Sequence, residues 1–223
     1  METDRVKLAY HAPFPPFALT QERGSEGLAI DILSQALARV HLRALFIPAS
    51  MQKTEVLLRT SEVDGIAFWA IDPERQKNYD FSDPFIISGG ALFIKSPNQR
   101  CKSFRDLEGR RVVTPGTGPL GRYIREEFPK VRLLLAEDYA ESLKAVLEGI
   151  ADAAALNIHA GTYLSNQMFP GRFTLPEEVF LEVLLAAAVL KSRQAPFLRR
   201  LNEGLERIRR DGTYKKITGR WLG

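Results

Sequence analysis

Two segments of the chain combine residues that could bind a small anion. Arg75 follows a predicted strand in the segment Asp72-Pro-Glu-Arg75, and a guanidinium can hold a carboxylate through paired hydrogen bonds. Gly116-Thr117-Gly118 separates a predicted strand from a predicted helix, where unpaired N–H groups favour an anion and the Thr117 hydroxyl can bind or cap. Both segments also have structural interpretations: a surface arginine paired with the acids of its own segment, and a tight turn with an N-cap.

Apolar and aromatic residues stand close to the ends of predicted strands. Phe14, Met51, Phe68 and Trp69 are such residues, and they could form either the walls of a ligand pocket or ordinary core. We expect Phe17 in the core. We expect Trp69 on a loop after a strand, which makes it the better candidate for a pocket wall.

The residue types that would indicate an enzyme or a metal site lack the required spacing. There is no Gly-x-Ser-x-Gly motif, and the single cysteine, Cys101, cannot form an intramolecular disulfide and matches no zinc motif. His11, His41 and His159 are far apart in sequence. We therefore predict no cofactor and no metal, and the role of Cys101 stays open.

Composition is that of an ordinary globular chain. Among 223 residues, 45% are hydrophobic and 26% are charged, and 31 Lys and Arg against 27 Asp and Glu leave a net charge of +4. Because basic and acidic residues are mostly interleaved, we predict no nucleic-acid partner. The basic residues become denser near the C-terminus, which we interpret as a solvated helix face rather than a nucleic-acid or phospholipid patch; they are Arg207, Arg209, Arg210, Lys215 and Lys216.

Strand and helix patterns alternate twice along the chain. In the first third, strands are predicted near 6–9, 45–47 and 66–69 and helices near 30–40 and 52–60, which indicates a parallel sheet with helices on its faces. Ligands of such sheets bind beyond the carboxyl ends of the strands, near Phe14, Met51 and Trp69.

The alternation resumes after an apolar stretch at Gly89–Ile94. Strands are predicted near 110–114, 131–135 and 152–156, and helices near 120–128 and 143–150. A buried strand at Leu184–Leu190, a long helix over 197–208 and a short basic tail to Trp221 close the chain. We infer two similar α/β lobes.

One segment resembles the signature of a known family. It reads Asp64-Gly-Ile66 and then Pro73-Glu-Arg-Gln-Lys-Asn-Tyr-Asp-Phe-Ser-Asp-Pro-Phe85, and it is similar to the family 3 extracytoplasmic solute-binding proteins, the amino-acid type (type II) of periplasmic binding protein. Further motifs agree in order and spacing over nearly the whole chain: Pro16-Phe17, Gly27-Leu-Ala-Ile-Asp-Ile-Leu33, Phe104-Arg-Asp-Leu-Glu-Gly-Arg-Arg-Val112, Leu147-Glu-Gly-Ile-Ala-Asp-Ala153, Leu201-Asn-Glu-Gly-Leu205, and Asp211-Gly-Thr-Tyr-Lys-Lys-Ile217 with Arg220-Trp221.

The resemblance implies an α/β fold with two lobes that are joined by two crossover strands and close on a ligand like a Venus flytrap. Lobe 1 would be residues 1–89 and 185–223, and lobe 2 would be residues 90–184. The apolar stretches near Gly89–Ile94 and Leu184–Leu190 would be the crossovers.

The resemblance also implies roles for individual residues. Arg75 falls on the arginine that clamps the ligand α-carboxylate, and Phe14 on the aromatic residue that stacks over the ligand. Met51 falls on a position that is usually aromatic. Thr117 falls on the second-lobe residue that helps to bind the carboxylate.

Two departures from the family pattern concern the ligand ammonium. Asn157 stands where the family usually has a carboxylate for the α-ammonium, and Phe68, Trp69 and Ala70 replace a Ser/Thr-rich loop. A buried cation without a counter-charge is costly. We therefore predict a carboxylate ligand with an apolar or aromatic body rather than an ordinary L-α-amino acid.

The resemblance implies a binding module, not an enzyme. It would bind a small carboxylate or amino-acid-like solute in the periplasm or another extracytoplasmic space, and its membrane partner would be an ABC permease or a histidine kinase module in the same chain. The first residues, METDRVKLAY, lack the apolar region of a signal peptide, and the chain ends just after Trp221. We expect the targeting or membrane segment to be absent from this chain, as in an excised sensor domain or a trimmed mature protein.

An enzymatic alternative stays open at this point. Some proteins that resemble this family are cyclohexadienyl dehydratases, which act on prephenate-like carboxylates. Such an enzyme needs a general acid, and His11 and Glu22 are the candidates.

Overall fold

Contacts along the chain divide it into two compact units. The computed structural model describes residues 4–21, 24–97, 104–116, 118–193 and 195–222. Unit 1 consists of residues 1–87 together with 184–223, and unit 2 of residues 88–183. Unit 1 is therefore discontinuous in sequence and unit 2 is continuous. The lobe boundaries implied by the resemblance, 1–89 with 185–223 and 90–184, remain a prediction.

Strands and helices alternate along both units, as the hydrophobic patterns predict. The strands are β1 (Asp4–His11), β2 (Leu19–Gln21), β3 (Gly24–Glu26), β4 (Leu42–Ala49), β5 (Gly65–Ala70), β6 (Tyr79–Phe81), β7 (Ile86–Lys95), β8 (Arg111–Pro115), β9 (Arg132–Ala136), β10 (Ala153–Asn157), β11 (Phe173–Thr174) and β12 (Leu181–Leu190). The helices are α1 (Leu28–Ala38), α2 (Met51–Arg59), α3 (Pro73–Gln76), α4 (Pro119–Glu127), α5 (Tyr139–Leu147), α6 (Ile158–Met168), α7 (Ala195–Arg210) and α8 (Thr213–Leu222).

The sheet of unit 1 is built around β1. This strand pairs in parallel with β4 and β5, and β12 returns the chain antiparallel to β5 and β6. Helix α1 buries its apolar stripe, including Leu33 and Leu37, while Leu57 and Leu58 of α2 pack against Ala9 and neighbouring core residues. The buried residues of α1 and α2 thus fix the positions of β1 and β5.

Helix α7 packs on α1 at a glycine. A Cβ atom at Gly204 would collide with the backbone carbonyl of Ala36, so only glycine lets the two helices approach this closely. The same reason applies at Gly27, which has φ +135° and whose Cβ would collide with the carbonyl of Phe17. Gly27 therefore holds the start of α1 against the proline-rich loop.

The sheet of unit 2 is centred on β10. This strand runs parallel to β8 and antiparallel to β7, and β8 pairs in parallel with β9. All five residues of β10 are buried, and separate apolar clusters cover the two faces of the sheet. A strand buried on both faces explains the short apolar run at 152–156 in the sequence.

Two elements correct the sequence-based description. The segment expected to be a short basic tail is the helix α8. The backbone N–H of its first residue, Thr213, donates a hydrogen bond to Asp211 Oδ1 (2.9 Å). Helix α6 was not predicted, because it begins directly after β10 without intervening turn residues. The capping side chain of Asn157 starts α6, whereas α8 follows the turn at Asp211-Gly212, in which Gly212 has φ +79°.

Among the described residues, no helix combines the length and apolarity that crossing a bilayer requires. Nor does any group of three or more His, Cys, Asp or Glu side chains in the described part of the chain come close enough to hold a metal ion.

Candidate ligand-binding residues in the two units

An aromatic cluster stands at the carboxyl end of β1 in unit 1. The Phe14 ring lies 5.1 Å from Phe17 and is stacked on Phe68 with 6.3 Å between centroids. Phe17 is fully buried, as predicted, and Phe14 is half-buried. The backbone N–H of Phe14 donates to Ala18 O (2.9 Å), so the loop that carries this ring closes on itself. Phe14 is therefore a partly accessible ring with a firm apolar support.

His11 is the last residue of β1 and lies beside this cluster. Its ring centroid is 5.6 Å from that of Phe14, and its Nδ1 atom is buried without a hydrogen-bond partner among the described residues. Desolvation lowers the pKa of His11 below its ordinary value. The imidazole is therefore neutral near pH 7.

Trp69 lies inside β5, within the strand predicted at 66–69 and not on the loop expected after it. Successive side chains of a strand point to opposite faces, so Trp69 lies on the face opposite to Phe68. Its ring meets Tyr79 edge-on with 5.2 Å between centroids, and it packs on the cluster that contains Leu57 and Leu58. The indole is half-buried and forms a platform rather than an open wall.

Arg75 rests on this platform. Its guanidinium carbon lies 3.9 Å from the Trp69 ring centroid, and its Nη1 donates to the carbonyl of Ala70 at 2.9 Å. Its Nε is 3.5 Å from Asp72 Oδ2, and only 16% of the side chain is exposed. Glu74 pairs instead with Lys77. The guanidinium is thus oriented by a π face, a carbonyl and one carboxylate.

Asp72 has a second function as the N-cap of α3. Its Oδ1 accepts from Glu74 N (2.9 Å) and Arg75 N (3.2 Å), which fixes the backbone that carries Arg75. The sequence segment Asp-Pro-Glu-Arg encodes this geometry, because proline is well suited to the first helical turn.

A polar network behind Trp69 was not foreseen from the sequence. Tyr79 donates to Glu55 Oε1 (2.7 Å), Arg59 Nε donates to the Tyr79 oxygen (3.0 Å), and Arg59 also pairs with Glu55 at 2.8 Å. Burial, more than the hydrogen bond to Glu55, raises the pKa of Tyr79. The network fixes the ring against which Trp69 packs, and the three residues come from α2 and β6, which are distant in sequence.

Met51 and Thr117 can be placed only in part. Met51 is the first residue of α2, whose N-cap Ser50 accepts from Lys53 N at 3.3 Å. Thr117 lies outside the described residues. The adjacent Gly118 is the N-cap of α4. Its φ of +91° is a backbone conformation that favours glycine.

Asn157 closes β10 in unit 2 and caps α6. Its Oδ1 accepts from Ser88 Oγ (3.0 Å), His159 N (3.1 Å) and Ala160 N (3.3 Å), and the residue is only 6% exposed. The two backbone donors fix the amide orientation, because a flipped amide would point N–H groups at N–H groups. Nδ2 is then the polar atom of this side chain that has no partner among the described residues.

Two α/β units with these sheets define the fold of a two-lobed solute-binding protein. The structure matches the periplasmic VFT2 domain of the Bordetella pertussis sensor BvgS with a TM-score of 0.88 and 22% identity, over 97% of this chain and 93% of that chain. It also matches the ancestral amino-acid-binding protein AncCDT-1, a precursor of cyclohexadienyl dehydratase, with a TM-score of 0.82 and 27% identity, over 98% and 95%.

The chain belongs to the bacterial extracellular solute-binding proteins, family 3, whose sequence pattern matches residues 6–223. A probable amino-acid ABC transporter-binding protein of Haemophilus influenzae is 25% identical over 224 residues, which cover 100% of this chain and 86% of that protein. The family predicted from the motifs is therefore confirmed. The relatives are mostly binding proteins, both transporter-associated and sensory, and the family is extracellular.

Proposed function

We propose that this protein binds a small organic carboxylate through Arg75. The observation that supports this most is the Arg75 guanidinium itself, which is largely buried, oriented by Trp69 and Ala70, and next to one carboxylate at 3.5 Å. A guanidinium offers five N–H donors in a planar fork whose geometry matches a carboxylate. A ligand carboxylate would accept paired hydrogen bonds from such a fork.

A ligand panel tests this role directly. We expect at least one compound among amino acids, dicarboxylates and aromatic carboxylates to raise the melting temperature, because ligand at a hundred times its Kd adds about 2.7 kcal/mol of stability. R75Q should abolish the shift, since it removes the charged fork. R132Q, at an exposed arginine of β9, is the matched control and should keep it. A shift that survives R75Q would contradict the proposal.

We propose further that the ligand lacks an ammonium group near Asn157. The Oδ1 atom of Asn157 already accepts three hydrogen bonds, so Nδ2 is the atom available to a ligand, and it is a donor. A donor suits a carbonyl, hydroxyl or carboxylate oxygen and not an ammonium. This supports a ligand with a carboxylate and an apolar or aromatic body.

N157D separates this specificity from structural effects. Asp and Asn are equally good N-caps, so α6 should be retained, while the new charge can pair with an ammonium. We expect the variant to bind L-α-amino acids at least about tenfold more tightly than the wild type does, measured by calorimetry. S88A is the control, because it removes one donor to Oδ1 without adding charge. Tight binding of lysine, histidine or glutamine by the wild type would refute the specificity.

The membrane partner would differ between a transporter-binding protein and a sensor domain, the two kinds of relative found for this chain. We propose an ABC permease or a histidine kinase module, since the chain resembles both a transporter-binding protein and a sensor domain. Uptake of the panel ligand that requires this protein would support the permease, and ligand-dependent phosphorylation would support the kinase.

A dehydratase activity is the alternative, suggested by the likeness to AncCDT-1. It needs a proton donor, yet burial keeps His11 neutral near pH 7, and Glu22 lies outside the described residues. We therefore favour binding without catalysis. Product formation from prephenate would reverse this preference.

A further inference from the structure

The C-terminal segment, residues 191–222, carries the excess positive charge of the protein. It contains ten Lys and Arg residues and three Asp and Glu residues, so its net charge is +7. The remainder of the chain holds 21 basic and 24 acidic residues and has a net charge of −3. The modest overall charge therefore conceals a strong separation of charge, and this segment includes α7 and α8.

The three acids of this segment are already engaged. Glu203 and Glu206 form ion pairs with Arg207 and Arg210 one turn along α7, and Asp211 pairs with Arg39 of α1 at 2.9 Å. They offer little repulsion to an approaching anion. The excess of cations over acids therefore sets the surface potential of the segment.

Helix α8 presents these cations on one exposed face. Lys215 and Lys216 are exposed and have no ionic partner among the described residues, and Arg220 is 71% exposed with Asp31 3.8 Å away. Leu222 is 41% exposed and lies seven residues after Lys215, on the same side of the helix. We call Lys215, Lys216, Arg220 and Leu222 the basic face.

Polar contacts, not burial, hold this face outward. Helix α8 has no buried residue, yet Tyr214 donates to Phe85 O (2.7 Å) and Trp221 Nε1 donates to Asp31 (2.9 Å). These two bonds come from the inner side of the helix. A helix that is anchored inward and presents a cluster of cations outward has the pattern of a basic surface that is attracted to anionic lipids.

We propose that the basic face docks on an anionic phospholipid surface, which replaces the sequence-based interpretation of Lys215 and Lys216 as part of a merely solvated helix face. Lysine ammonium groups are compact charges that meet phosphate groups in many orientations, which suits a fluid headgroup layer. An exposed leucine among them can enter the interface between headgroups and acyl chains. This inference uses none of the residues proposed to bind the ligand, and it stands whether or not the proposed ligand is right.

Vesicle co-sedimentation tests the docking. We expect the protein to bind vesicles of phosphatidylglycerol and phosphatidylcholine, not phosphatidylcholine alone, and to dissociate at high salt. K215E/K216E should weaken binding at least about 25-fold, because each lysine near an anionic surface contributes about 1 kcal/mol, or about fivefold. The control R125E/K144E makes the same change in net charge on two exposed helix positions of unit 2 and should keep most of the binding.

Three results would overturn the proposal: no binding of the wild type to the anionic vesicles, equal binding to both vesicle types, or an equal loss in the two double variants. The last would mean that net charge, and not this face, drives the attraction. Unfolding curves of both double variants verify that each is folded, and the single variants K215Q and K216Q, with smaller expected losses, replace K215E/K216E if it is not.

Discussion

At Arg75 and Asn157, the neighbouring atoms decide what each side chain can do. The motif around Arg75 predicts a carboxylate-binding arginine, but the Trp69 platform and the Ala70 carbonyl are what orient the guanidinium. Likewise, Asn157 differs from a carboxylate in charge, and its three accepted hydrogen bonds leave only a donor for a ligand. The contacts that orient Arg75 come from residues up to six positions away, whereas Asn157 also depends on Ser88, which is 69 positions away.

The buried His11 imidazole should make the stability of the protein depend on pH. Its pKa is lowered in the folded protein, so above about pH 7 both states are neutral and the residue adds no pH dependence. As the pH falls through about 6.5, the unfolded chain takes up a proton that the folded protein refuses, and stability falls by up to about 1.4 kcal/mol per pH unit.

The test is the melting temperature between pH 7 and pH 5. The decline should be shallower in H11N than in the wild type, because the variant has no imidazole to protonate. H41N, at an exposed histidine, is the control and should follow the wild type. Parallel curves for the wild type and H11N would contradict this account.

At the scale of elements, glycines mark where helices approach other parts of the chain. Gly204 allows α7 to contact α1, whereas Gly219 in α8 has no heavy atom within 4 Å of the position of its absent Cβ. The two positions are both helical, so they share the gain in helix propensity on changing Gly to Ala, about 1 kcal/mol. They differ in the room available for a Cβ atom, which is lacking at Gly204 and present at Gly219.

We therefore expect opposite effects of the same substitution. G204A should destabilise the protein by about 1–3 kcal/mol, since overpacking against backbone outweighs the propensity gain. G219A should stabilise it by up to about 1 kcal/mol. Urea unfolding measures both, and a stabilising G204A would show that α7 can shift without loss.

At the scale of the whole molecule, the order of segments along the chain determines which unit depends on which. Unit 2 is one continuous stretch, but unit 1 needs β12, α7 and α8, which return after unit 2. Without α7, the apolar face of α1 would lose the helix that packs on it.

Two fragments should therefore behave differently. Residues 88–183 should unfold cooperatively on their own, because both faces of the β10 sheet are covered from within that stretch. Residues 1–183 should contain folded unit 2 with an unfolded remainder, since β5 loses β12. Circular dichroism during heating distinguishes the two, and a fully folded 1–183 fragment would contradict the dependence.

The local pattern of residues determined the element types, the strand–helix alternation and the family, because periodicity and motif spacing are properties of neighbouring residues. It also identified Arg75 and Asn157 as candidate ligand-binding residues. Only the tertiary structure decided that Trp69 packs on Tyr79, that Glu55 accepts from Tyr79, and that Ser88 donates to Asn157 Oδ1. The contacting residues are 10 to 69 positions apart in sequence. A local sequence pattern does not encode which distant residue a side chain will contact.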